Sequence, residues 1–304
     1  MKKTSNPILF FGSGPVAAAS LELLNNDFAF EAVITKPRPA HHKGDVPVLT
    51  AASKLGLPVF TAKNKIELDE LFRSKKFQAS LAILIDFGII VSQEVIDAFP
   101  LGIVNSHFSL LPKLRGADPI TFSILEGEGK TGISLMLLVK AMDEGPLLAQ
   151  KAFKMPGDMT TPKLTKKLIQ LSYEALKATI PAYISGTVQP HPQPDEPASY
   201  SRRLTKDDGL LDWEKPAVQL EREIRAFIEW PKSRAVLGNT EIIVTKACAV
   251  SGDGKPGQTD IKDGLPLVYC RQGALVLDTV KPAGKKEMPG KAFLTGYKAN
   301  FLSS

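Results

Sequence analysis

Three polar residues in the first half of the chain have the types and spacing that acyl transfer requires. Asn105 and His107 stand two apart in GIVNSHFSLLPKLRG (102–116), where an apolar run reads as a β-strand. Side chains two apart on a strand share a face, and open α/β sheets bind ligands at the carboxyl ends of their strands. The Asn105 amide can donate to a developing oxyanion, and the His107 imidazole can move a proton near neutral pH. Asp143 follows the next apolar run, in GISLMLLVKAMDEG (132–145). Facing the histidine, its carboxylate would orient the ring and favour its charged form. The residues alone leave a plainer alternative open, in which Asn-x-His is a hydrogen-bonded strand end and Asp-Glu-Gly a turn with solvated acids.

The chain has four histidines, which limits where else imidazole chemistry can lie. His191 sits in a Pro-rich stretch and reads as a solvated bystander. His41 and His42 are adjacent in the polar loop KPRPAHHKGD (36–45), where neighbouring side chains diverge, so no metal pair is expected there. Cys248 and Cys270 lack a C-x-x-C spacing and read as buried structural thiols. The stretch FFGSGPVAAAS (10–20) places Gly12, Gly14 and Ala17 in a G-x-G-x-x-A spacing that resembles a dinucleotide-binding turn. The second strand then ends Ile34-Thr35-Lys36, without the acid that holds a ribose. Lys36 and Arg38 would suit an NADP phosphate instead, so an NADP-dependent oxidoreductase is one alternative. It leaves Asn105, His107 and Asp143 without a role.

The elements that must position these residues follow from periodicity. Strands are expected at 7–11, 30–34, 80–85, 102–105 and 132–138, and helices near 15–25, 47–55, 66–75, 92–97, 117–126 and 160–184. This alternation is that of an α/β sheet domain over residues 1–186. SGTVQPHPQPDEPASYS (185–201) is rich in Pro, Ser and Gly and has no apolar period, so 187–200 reads as a linker. Residues 201–304 form a second domain, opening with a helix at 217–228 and continuing as short strands separated by Gly-rich turns, the terminal KAFLTGY (291–297) among them. That pattern suits a small barrel. The net charge is +6, and residues 201–304 hold 17 basic and 13 acidic residues against 21 and 19 in the first 200, so the last third is the more basic part. Such a balance weakly favours an anionic partner. No apolar run approaches the roughly 20 residues of a membrane span. The start MKKTSNPILFF reads as a first strand, and a cytoplasmic location with no membrane association is expected.

With these residues in view, NSHFSLLPKLRGADPI, followed by DEG, resembles the signature of formyltransferases that use 10-formyltetrahydrofolate. FFGSGPVAAASLELL and ILIDFGIIVSQEVID resemble that family's opening turn and folate-lining segment. YSRRLTKDDGLLDWEKPAVQLEREIRAFIEWP and VKPAGKKEMPGKAFLTGY resemble the C-terminal domain of the branch whose acceptor is the amino group of initiator methionyl-tRNA. The resemblance runs from about Ile8 to Tyr297 and implies a Rossmann-like formyltransferase domain followed by an OB-like β-barrel that binds tRNA. It implies that Asn105 steadies the oxyanion formed when the methionine amine attacks the formyl carbon, while His107 relays the proton and Asp143 holds the imidazole or assists deprotonation. It assigns the folate to Asp86, Phe87, Gly88, Ile89 and Ile90 and to Ser109, Leu110, Leu111 and Pro112. It assigns the tRNA to Arg38, His42 and Lys43, and to Arg202, Arg203, Lys206, Lys285, Lys286 and Lys291. No metal or nucleotide cofactor is implied, and the chain is expected to act as a monomer. Two departures stand out: the loop after the second strand is short, without a Gly-Arg-Gly-Lys-like core, and Gly14 precedes Pro15 where an acid often follows the proline. The alternative within the family is a sugar-nucleotide or purine-precursor acceptor.

Overall fold

Runs in which every residue is apolar become strands covered on both faces, and runs with a 3.6 period become the helices that cover them. A computed structural model describes residues 7–40 and 44–302. The first part of the chain runs β1 (Ile8–Phe11), α1 (Pro15–Leu24), β2 (Phe30–Thr35), α2 (Pro47–Lys54), β3 (Val59–Thr61), α3 (Lys65–Ser74), β4 (Leu81–Leu84) and α4 (Gln93–Asp97). It continues β5 (Ile103–His107), β6 (Arg115–Gly116), α5 (Pro119–Leu125), β7 (Lys130–Leu137), β8 (Leu147–Lys154), α6 (Thr161–Ile184) and β9 (Tyr200–Ser201). Seven strands form one sheet in the order β3-β2-β1-β4-β5-β7-β8. The first five are parallel, and β7 and β8 add antiparallel.

The fully apolar ILFF of β1 is buried along its length, as a central parallel strand must be. The strand order reverses between β1 and β4, which opens a crevice at their carboxyl ends. The expected strands and helices are all present here; two further strands, β3 and β8, join the large sheet, and the short β6 and β9 pair with each other. Strand β8 is buried at Leu147 and Leu148 and then alternates half-buried and exposed residues, but Gln150, Lys151 and Lys154 deny it an apolar run.

Beyond β9 come α7 (Ala217–Ala226), β10 (Ser233–Leu237), β11 (Thr240–Val250), β12 (Thr259–Lys262), β13 (Leu265–Tyr269), β14 (Ala274–Pro282), β15 (Met288–Pro289) and α8 (Gly290–Leu302). The strands pair antiparallel in the order β10-β11-β14-β13-β12, with β15 on β14. The resemblance implied an OB-like β-barrel, and the observed element is consistent with that as a small antiparallel β domain. Leu220 and Ile224 of α7 join Val244, Leu277 and Phe293 in its core.

The chain divides into two units, one of 1–119, 130–154 and 165–201, the other of 120–129, 155–164 and 202–304. The sequence boundaries of 1–186, 187–200 and 201–304 differ from these in two ways. The segments 120–129 and 155–164 belong with the second unit, because Gln219 Nε2 donates to Leu125 O (3.2 Å), Arg225 Nη1 to Met159 O (2.8 Å) and Thr161 Oγ1 to Ala226 O (2.7 Å). The residues read as a linker belong with the first.

The terminal segment is a correction. KAFLTGY, expected as a strand, lies within α8, because Phe293, Tyr297 and Phe301 recur every four residues and form one helical stripe. Phe293 and Phe301 are fully buried, and Thr259 Oγ1 donates to Phe301 O (2.7 Å). The pattern is legible only when the residues after Tyr297 are included. Replacing Phe301 by Ala should therefore cost the second unit about 3–5 kcal/mol, as emptying a buried aromatic site does. Urea unfolding measures this, and a loss below about 1 kcal/mol would mean that the helix does not pack through Phe301.

Candidate active site

Two neighbouring clusters at the sheet's carboxyl ends contain the residues singled out in the sequence, both within the first unit. In β5 the period-two expectation is met. Ser106 turns to the opposite face, where its hydroxyl lies 2.7 Å from that of Ser172 in α6, while Asn105 and His107 both meet Asp143. His107 Nε2 lies 2.9 Å from Leu114 O. A carbonyl only accepts, so Nε2 carries a hydrogen and Nδ1 is left as the nitrogen that can exchange a proton. Nδ1 faces Asp143 Oδ2 at 3.8 Å. Asp143 Oδ2 also accepts from the Gly116 N–H (2.7 Å), and Oδ1 lies 3.5 Å from Asn105 Nδ2.

Asp143 reaches this position by a loop and not by the end of its strand. Strand β7 runs antiparallel to β5, so its last residue, Leu137, pairs with Val104, before Asn105 and His107. The loop 138–146 folds back over β5, closed by Leu137 N–H to Pro146 O (2.9 Å). Asp143, Leu114 and Asp86 all take left-handed backbone conformations, at φ of 53°, 54° and 47°. Side chains other than glycine tolerate this at a cost, and such residues gather at functional sites.

The second cluster forms where Gly12 and Gly14 meet the segment after β4. Ser13 and Gly14 donate their N–H groups to Asp86 O (2.9 and 3.3 Å), and the Ser13 hydroxyl donates to Phe87 O. A Cβ on Gly14 would sit 1.8 Å from Asp86 Oδ2, and one on Gly12 would sit 2.5 Å from Ala17 Cβ. The spacing that suggested a dinucleotide turn thus serves close approach between two loops and a helix. The Ser13 and Gly14 amides are thereby bonded and Pro15 has no N–H, so the turn has fewer donors for a pyrophosphate, which weakens the NADP reading.

Asp86 is open to solvent yet has protein on most sides, the position of an acid on a cleft floor. Desolvation pushes its carboxyl up to about 6, with Asp118 adding to the rise and Lys36 opposing it. Gly88 and Ile90 are exposed and Ile89 is half-buried. Phe87 is different. Its ring is 2% exposed and packs edge-on against Phe11 at 5.3 Å, so it belongs to the core and only its backbone borders the cleft.

The turn after β5 is built from inside. Ser134 Oγ donates to Ser109 O (2.7 Å) and accepts from Leu111 N–H (3.0 Å), and Gln150 Nε2 donates to Leu111 O (2.8 Å). Lys113 N–H donates to Leu110 O (3.1 Å), and Ser109 Oγ to Lys113 O (2.6 Å). The sequence reading gave these backbone groups to the ligand. The structure engages them in fixing the turn, with Ser109, Leu111 and Pro112 buried and Leu110 half-buried.

Of the cationic residues, Arg203, Lys206, Lys285, Lys286 and Lys291 are exposed. Arg38 is exposed and donates from Nη1 to Gly44 O (2.8 Å). Arg202 is also exposed but paired: Nη1 donates to Asp208 Oδ2 (2.8 Å) and Nη2 to Oδ1. The same pair holds the Asp208 carboxyl far below its ordinary range. His41, His42 and Lys43 lie outside the described residues. Cys270 is buried, which pushes its thiol up to about 11, whereas Cys248 is exposed and departs from the expected buried thiol. Among the described residues no group of three His, Cys, Asp or Glu side chains could hold a metal, and no helix is long and apolar enough to cross a membrane.

Sequence reasoning missed Leu114 and Gly116, although both stand in the quoted motif, because their contribution is a backbone group. It missed Arg115 and Gln193 as well. Arg115 Nη1 donates to Glu144 Oε1 (2.9 Å) and Nη2 to Gln193 Oε1 (2.8 Å).

The comparisons with known proteins fit this geometry. A family model described as formyl transferase matches residues 9–180, and a second, formyl transferase C-terminal domain, matches residues 203–298. A methionyl-tRNA formyltransferase of Roseiflexus castenholzii is 34% identical over 301 residues, covering 96% of each chain. One of Myxococcus xanthus is 35% identical, covering 96% of this chain and 95% of its own. The solved N-formyltransferase of Helicobacter canadensis, in complex with folinic acid and dTDP-3-aminofucose, shares the fold with a TM-score of 0.67 at 19% identity, over 90% of this chain and 98% of its own.

Asp86 gives a test of the cleft that needs no ligand. A carboxyl whose folded pKa is raised from 3.8 to about 6 contributes stability that is complete below about pH 4 and is lost as pH rises through 6. Asp86→Asn should therefore gain on the wild type in melting temperature between pH 4 and pH 7. An unchanged difference at the two pH values would mean that the carboxyl is not desolvated.

Proposed function

We propose that this chain, which belongs to the formyl transferase family, transfers the formyl group of 10-formyltetrahydrofolate to the α-amino group of methionine on initiator tRNA. The observation that carries this is the convergence of Asn105, His107 and Asp143 on one face of β5, in a chain whose relatives over nearly its whole length are named for that reaction. The donor supplies the formyl carbon. The amide of Asn105 gives one N–H towards Asp143 and has a second with which to donate to the formyl oxygen as charge grows there. His107 is held at Nε2 by Leu114 O, so Nδ1 takes the proton released by the attacking amine and returns it to the departing nitrogen. Asp143 stabilises the imidazolium between these two transfers and is itself kept in place by Gly116 N–H.

The cleft beside Asp86 fits the folate ring. An accessible carboxylate, an exposed Ile90 and a half-buried Ile89 offer an acceptor and apolar surface together, as a flat heteroaromatic ring with N–H donors requires. In this reading Asp86 to Ile90 line the pocket. The internally bonded turn of Ser109, Leu110, Leu111 and Pro112 sets its wall.

For tRNA, the exposed Arg203, Lys206, Lys285, Lys286 and Lys291 are the proposed phosphate contacts, with Arg38, His42 and Lys43 near the acceptor end. Arg202, exposed but forked to Asp208, is the weaker member of that set, because a phosphate would have to displace the carboxylate. A sugar-nucleotide acceptor has only a likeness of fold behind it, at 19% identity.

The deciding experiment offers the donor with methionyl-tRNA, an amino-sugar nucleotide or an amine-bearing purine precursor in turn. Formylmethionyl-tRNA is the expected product, and formylation of a small acceptor alone would overturn the assignment. Asn105→Ala should lower kcat by about 10²–10³-fold, the usual loss of an oxyanion donor. In a separate measurement, Lys285→Ala with Lys286→Ala should raise KM for tRNA and make it less sensitive to salt while leaving KM for the donor unchanged.

A further inference from the structure

Residues 187–200 read in the sequence as a linker, and they fall between the stretches 9–180 and 203–298 that the family models match. In the structure this segment is bonded to the rest of the first unit at His191, at Gln193 and from Ser199 to Ser201. His191 exchanges two backbone hydrogen bonds with Leu147 (2.9 and 2.7 Å), which lays the segment against the start of β8. Gln193 Nε2 donates to Asp143 O (2.6 Å) and Gly145 O (3.0 Å), and its Oε1 accepts from Arg115 Nη2. Ser199 Oγ accepts from Leu114 N–H (2.9 Å), and Ser199 O accepts from Arg115 N–H (2.9 Å). Tyr200 and Ser201 then pair with Arg115 and Gly116.

These contacts have a common target. Leu114 O holds His107 Nε2, Gly116 N–H holds Asp143 Oδ2, and Asp143 itself sits at a φ of 53° that a free loop would not keep. The segment thus restrains His107's partner on one side of the ring and the carboxylate on the other. We propose that residues 191–201 form a strap that positions the His107–Asp143 pair, and that Gln193 is its principal positioning residue. One amide serves two carbonyls of the Asp143 turn, and its oxygen ties them to Arg115, whose other nitrogen holds Glu144. Removing it releases the turn without touching either reacting group.

The inference rests on reading His107 and Asp143 as the proton-handling pair. The test compares Gln193→Ala, Gln193→Glu and Ser199→Ala with Glu196→Ala, an exposed position on the same segment. The readouts are kcat, KM for both substrates, the pH profile of kcat and the melting temperature. Gln193→Ala should lower kcat by about 10- to 100-fold, the scale of a modest misplacement of reacting groups, with both KM values within about threefold and a displaced pH profile. Gln193→Glu keeps the bond from Arg115 but sets a carboxylate against two carbonyls, so it should fall at least as far. Ser199→Ala should lose less, and its loss should not add fully to that of Gln193→Ala because both act on one pair. Glu196→Ala should match the wild type.

A folded Gln193→Ala with wild-type kcat overturns the proposal. So does a loss that follows the folded fraction with an unchanged pH profile. If the wild type formylates some amine other than methionyl-tRNA, the reading of the acceptor fails, and the kcat measured with that amine still decides the role of Gln193.

Discussion

The hydrogen bond from Gly116 N–H to Asp143 Oδ2 is the contact on which the site turns, since it fixes a carboxylate against His107 and within reach of Asn105. A loop aspartate with a left-handed backbone has no intrinsic reason to stay where it is. It stays because neighbouring segments each bind a different part of its turn: the amide of Gly116 on the carboxylate, Gln193 on the carbonyls, and the closure of 138–146 on β7. The imidazole is defined in the same way. Leu114 O takes the Nε2 hydrogen, so the nitrogen left to exchange protons is the one that faces the acid.

The sheet explains why these groups meet. Parallel strands β1, β4 and β5 deliver Gly14, Asp86 and His107 to one end of the sheet, where the reversal of strand order leaves a crevice. The antiparallel β7 brings its end to Val104, at the other end of β5, and the loop corrects for this by folding back. Gly14 closely approaches Asp86 at the base of that crevice, so the glycine spacing answers a steric need: a Cβ at Gly12 would run into Ala17, and one at Gly14 would have to push the Asp86 carboxylate aside. Desolvation of Asp86 follows from the same crowding.

Charge tells a similar story in the second unit. A basic C-terminal third is a property of composition, but which cations remain available is a property of pairing. Arg202 looks like its neighbour Arg203 in sequence, and the fork with Asp208 separates them. An exposed cation already neutralised by a carboxylate attracts a phosphate far less than a free one.

The sequence carries five of the seven strands of the first sheet, the presence of a small β domain, and the catalytic types with their spacing, because each rests on local periodicity or on a motif contiguous in the chain. Asn105 and His107 share a face for a reason that two residues of separation already contain. It did not determine the fate of the last segment, where the stripe through Phe301 decided between strand and helix, nor the alliance of 120–129 and 155–164 with the second unit. It also could not reveal that Leu114 and Gly116 act through their backbones, that the Ser109–Pro112 turn is bonded internally, or that Gln193, 50 residues after Asp143, holds the Asp143 turn. Those relations join residues distant in sequence, through backbone groups common to every residue type. Only the tertiary structure brings them within hydrogen-bonding distance.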